Sequence, residues 1–144
     1  MPMPLPDAGD IRLLTQVGFL AAGRGDVPRA LRIFNALALL RPGQAFSFVG
    51  LACALMNAAR APEAVQKLQA ACLPPGPESD MVQAFQGLAL QLAGRAGEST
   101  YLLRQIVLRA GNDTPSEGAR LAASLLGEDL GAAALPASAR PPSS

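Results

Sequence analysis

Few residues in this chain have the types and spacing that chemistry requires. There is no histidine, so the commonest acid–base group is missing. The two cysteines, Cys53 and Cys72, form no CxxC and cannot hold a metal ion without further ligands. Cys53 falls mid-helix among apolar residues, where burial raises a thiol pKa and weakens the nucleophile. Both read as free thiols in a reducing compartment. The carboxylate pairs Glu78/Asp80 and Glu128/Asp129 occupy loop or terminal positions, where solvated charge is the expectation. Gly23–Gly25 and Gly94–Gly97 lack the lysine and following Ser/Thr of a phosphate loop. Arg24-Gly25-Asp26 is an integrin-type tripeptide, but it spans a turn between two helices where Asp26 is needed as a cap. The expectation is a non-enzymatic protein with no catalytic residues, no cofactor and no metal.

Composition agrees with a binding role. The chain has 144 residues, half of them hydrophobic and 16% charged, enough for one domain with its own core. Twelve basic residues oppose eleven acidic ones, without the positive excess of a nucleic-acid surface. The start, MPMPLPDAGD, shows neither the basic nor the apolar region of a secretory signal. The expected location is the cytoplasm, without membrane insertion.

Abundant Ala and Leu favour an all-α fold. Asp7 or Asp10 can cap a first helix ending near Ala22, and Gly23-Arg24-Gly25 breaks it. Asp26 caps a second, with Pro28 in its first turn, which ends at Arg41-Pro42-Gly43. The third, Ala45–Ala59, is apolar almost all round, with only Ser47 and Asn57 as clear interruptions. It must therefore be covered on more than one side. Ala61-Pro62-Glu63 opens a fourth, and the proline run after Leu73 ends it. Ser79 or Asp80 can cap a fifth. A sixth follows the turn at Gly94–Gly97. Thr114-Pro115-Ser116-Glu117 predicts a capping box for a seventh.

Self-comparison reveals a repeat. Leu14, Val17, Gly18 and Ala21 recur 34 residues later as Phe48, Leu51, Ala52 and Leu55. Ala30, Phe34 and Pro42 recur as Ala64, Leu68 and Gly76. With insertions, a third copy takes Phe85, Leu88, Ala89 and Leu92, then Leu102 and Ile106. At these residues the chain resembles the tetratricopeptide repeat. The resemblance implies three helix pairs stacked as a right-handed α-solenoid, closed by a C-terminal capping helix. The implied organisation is a flexible arm over 1–10 and a repeat domain over 11–130. Within that domain the repeats fall near 11–44, 45–78 and 82–114, and the cap over 115–130. A low-complexity, disordered tail over 131–144 completes the chain.

In such a stack the first helix of each pair lines a concave face. The register places Arg12, Thr15, Phe19 and Ala22 there, then Phe46, Val49, Cys53 and Met56, then Gln83, Gln86, Leu90 and Ala93. The expected partner-binding residues are Thr15, Phe19, Phe46, Val49, Cys53, Met56, Gln83, Gln86 and Leu90. The Lys, Arg and Asn with which some members clamp a carboxylate are absent here. An apolar strip suits an amphipathic or apolar segment of a protein partner. Alternatively, Met1–Pro6, the tail or a second copy covers it. The run from Gly18-Phe19-Leu20 through Ala30–Leu37 to Leu40-Arg41-Pro42 resembles the small repeat-containing chaperones of bacterial type III secretion. That resemblance implies a cytoplasmic chaperone or adaptor holding one secreted needle or translocator subunit, or a co-chaperone. The alternative is a scaffold subunit of a permanent assembly or a homodimer.

Overall fold

The computed structural model describes residues 7–128, and these form seven α-helices. They are α1 (Ala8–Gly23), α2 (Val27–Leu40), α3 (Phe46–Asn57), α4 (Ala61–Gln69), α5 (Pro77–Leu92), α6 (Ala96–Ala110) and α7 (Glu117–Leu125). Residues 1–6 of the expected arm, the last two of the expected cap and the whole tail lie outside the described residues. Among those described, no helix is long and apolar enough to cross a membrane.

Local chemistry explains where the helices begin. Asp7 is the α1 cap: its carboxylate accepts the Asp10 N–H at 2.8 Å, and Asp10 reciprocates to the Asp7 N–H at 3.2 Å. The helix thus starts at Ala8, inside the expected arm. Asp26 accepts the Arg29 N–H and caps α2. Two expected caps are replaced. Helix α5 begins at Pro77 after Gly76 (φ 153°), with no side-chain cap, because proline needs no N–H acceptor and fits the first turn. Ser116, not Thr114, caps α7, accepting the Ala119 N–H at 3.1 Å. Ser116 also donates to Asp80 of α5 at 2.8 Å, so a tertiary partner selects it over Thr114.

Helices α1, α3, α5 and α7 form a row in which each packs on the next. Helix α2 lies against α1 and α3, α4 against α3 and α5, and α6 against α5 and α7. Helix α3 therefore has four helical neighbours, which is why its sequence is apolar nearly all round. Its two polar interruptions differ in fate. The Asn57 amide donates to the Ala22 carbonyl at the end of α1, at 2.9 Å. The Ser47 hydroxyl is buried and has no partner among the described residues.

The turns carry a repeat more plainly than the side chains do. Gly25, Ala59 and Gly94 adopt φ of 67°, 61° and 80°. In each turn the next residue donates back five positions: Asp26 to Ala21, Arg60 to Leu55 and Arg95 to Leu90. This left-handed closure satisfies carbonyls left open at a helix end. The spacing is 34 residues, then 35. Ala30, Ala64 and Ser99 are each fully buried in the second helices. Phe34, Leu68 and Leu103 follow four residues later, at 0–1% exposure.

This alignment corrects the expected third copy. Leu92, expected in line with Ala21 and Leu55, is 59% exposed, whereas Leu90 is 3% exposed. The equivalent of Gly18 and Ala52 is Gly87, where a Cβ would overlap Leu103. The two-residue shift arises because α5 starts earlier than its candidate caps suggest, so the linker after α4 takes up fewer residues.

Candidate partner-binding face

The row of odd-numbered helices carries a depression of about 340 Å³. Its apolar wall comes from Phe19 of α1, Phe46 and Val49 of α3, and Pro77 and Met81 of α5. Glu78 of α5 and Glu117 of α7 supply its charge. Phe19 is held by the core: its ring stands edge-on to the buried Phe34, with centroids 5.0 Å apart and planes at 72°. Such an arrangement suits the opposed charge of ring edge and face. Glu78 has a structural duty as well. One carboxylate oxygen accepts the Ala45 N–H at 2.5 Å, supplying the acceptor that α3 lacks from its own residues.

Of the nine expected binding residues, the structure gathers Phe19, Phe46 and Val49 in this depression. Val49 is only 7% exposed and forms the floor. Cys53 and Met56, further along α3, are half-buried and pack on the core. Burial pushes the Cys53 thiol up from its ordinary pKa, which keeps it protonated and a poor nucleophile. Thr15 is partly buried and bonds back onto its own helix, donating to the Ile11 carbonyl at 2.7 Å.

The three residues expected from α5 lie elsewhere. Gln83 accepts from Arg109 of α6 at 2.5 Å, part of a polar link that also joins Asp80 and Ser116. Gln86 and Leu90 line a shallower hollow with Tyr101 and Leu102 of α6. The α5 residue that does join Phe46 is Met81, 35 residues further on. The turn signal would have found it, because aligning Gly94 with Gly25 and Ala59 brings Met81 into line with Phe46.

No protein-family model, curated protein or solved structure matches this chain. The site's own geometry therefore carries the functional argument. Among the described residues, no three Cys, Asp or Glu side chains gather as metal ligands.

Proposed function

We propose that this chain is a non-catalytic protein-binding module of the tetratricopeptide type. It acts as a cytoplasmic chaperone or adaptor, in the manner of type III secretion chaperones, and holds one segment of a protein partner along α1, α3, α5 and α7. The observation that carries this reading is the depression lined by Phe19 and by half-buried Phe46 and Met81, with Glu78 and Glu117 supplying its charge. The recurring turns and the row of first helices support the repeat assignment. The occupant is an amphipathic segment with apolar anchors and a Lys or Arg that meets the two glutamates. Burying each anchor contributes about 1.5–3 kcal/mol. Several anchors give micromolar to nanomolar binding after ordering costs.

The test compares Phe46→Asp and Met81→Glu with the unaltered protein by affinity purification from the native host. Both variants keep their helicity and lose the captured partner. Val49→Asp unfolds the chain instead, since it places an unpaired carboxylate in the core. If the unaltered protein captures nothing, or both variants capture the same partner equally well, the reading fails.

A further inference from the structure

Helices α2 and α4 both pack on α3 but not on each other. The slot left between them holds about 210 Å³ and shares no lining residue with the depression. Phe48 and Leu51 of α3 and Phe34 of α2 give it apolar walls. Three polar side chains line it as well: Asn35 of α2, Ser47 of α3 and Lys67 of α4.

All three have hydrogen bonds to donate. Ser47 is only 4% exposed, and its hydroxyl has no partner among the described residues, a state that costs stability. A serine O–H rotates to suit an acceptor, so a group seated in the slot supplies the bond that the chain does not. Lys67 is the only lysine of the sequence. Among the described residues its exposed ammonium has no ion-pair partner. Glu63, one turn earlier, is held instead by Arg60 through hydrogen bonds of 2.8 and 2.6 Å. The Asn35 side chain is exposed beside them and adds an amide N–H.

The repeat shows that stacking does not ask for these residues. In the register that sets Met81 in line with Phe46, buried Val82 stands where Ser47 does. Leu102 likewise stands where Lys67 does. The next slot along, where α4 and α6 flank α5, is lined by Gln69, Glu98 and Tyr101 and by no basic residue among those described. A cation and an unpartnered buried hydroxyl therefore come together in the first slot and not in the second.

The ligand follows from size and charge. An apolar hole of about 150 Å³ takes up benzene, so the slot has room for one ring and a small polar group. Three donors, one of them charged, call for an anionic acceptor. We propose that the slot between α2 and α4 binds a small aromatic carboxylate. Its ring lies against Phe48 and Leu51, and its carboxylate accepts from Lys67, Ser47 and Asn35.

Nuclear magnetic resonance titration of the purified protein with benzoate tests the site. Benzoate binds with a dissociation constant of about 1 mM or lower, within reach of a ligand this small, and shifts the amide signals of Asn35, Ser47 and Lys67. Benzamide, of the same shape but uncharged, binds about tenfold more weakly. Lys67→Gln weakens benzoate about tenfold and abolishes the preference over benzamide. Ser47→Ala weakens benzoate severalfold yet unfolds at the same or a higher temperature, since it removes the orphaned hydroxyl. A benzoate titration that leaves these signals unmoved overturns the proposal. So does benzamide binding as tightly as benzoate, or either variant binding benzoate as the unaltered protein does. Met81→Glu, in the depression, keeps benzoate binding, which separates failure of this site from failure of the partner-binding reading.

Discussion

The ring of Phe34 lies so close to Gly50 that a Cβ at Gly50 would fall within it. Phe34 sits on α2 and Gly50 on α3, and both are buried. The same ring approaches Gly18 of α1, where a Cβ would lie 2.9 Å from its edge. One aromatic side chain thus fills the space that two glycines open on successive first helices.

Gly50→Ala is expected to destabilise the protein by about 1–3 kcal/mol, since a packed core yields to an extra methyl only by moving side chains or backbone. Gly97 of α6 is the control, because a Cβ there meets nothing within 4 Å. Gly97→Ala is expected to stabilise by about 0.4–1 kcal/mol, by restricting the unfolded chain and favouring the helix. Urea titration of both variants reads the difference. Equal effects would show that the approach of the Phe34 ring is not what limits Gly50.

Ala59 holds φ at 61° where Gly25 and Gly94 serve the other two turns. A side chain in that region costs about 1–2 kcal/mol. Ala59→Gly is therefore expected to raise the melting temperature, with a net gain of about 1 kcal/mol or less once glycine's greater unfolded freedom is counted. Calorimetry checks it. A lower melting temperature would mean that the methyl group makes packing contacts worth more than the strain.

The two thiols should separate chemically. Cys72 is exposed, whereas Cys53 is partly buried and its pKa is raised by that burial. Iodoacetamide at mildly alkaline pH is expected to label Cys72 well before Cys53, as mass spectrometry of quenched samples would show. A raised folded-state pKa means that the folded chain holds this proton more tightly than the unfolded chain. The Cys53 contribution to stability is thus complete below the ordinary thiol range. It is lost as pH climbs through the folded-state value. Cys53→Ala should remove this part of the alkaline loss of stability, and an unchanged alkaline limb would count against it.

The sequence by itself determined that residues 7–128 are all-helical, that they form seven helices and where most of these stop. Glycine, proline and capping residues act over a few positions, so Asp26, Pro28 and Gly94 could be read directly. It also showed that Ala45–Ala59 must be enclosed, because no one-sided helix is so uniformly apolar. What it left undetermined was the register of the third pair. Leu90 and Leu92 are alike in chemistry and two residues apart, and only the fixed start of α5 at Pro77 turns one inward and the other out. Likewise, nothing local distinguishes Thr114 from Ser116 as a cap. Asp80 decides between them from a distant helix. Of the expected binding face, Phe19, Phe46 and Val49 were legible from the first two copies, where the spacing is regular. Glu78 and Glu117 were not, since they reach the depression only through the packing of α5 and α7 along the row, and Met81 becomes legible only once Gly94 is aligned with Gly25 and Ala59.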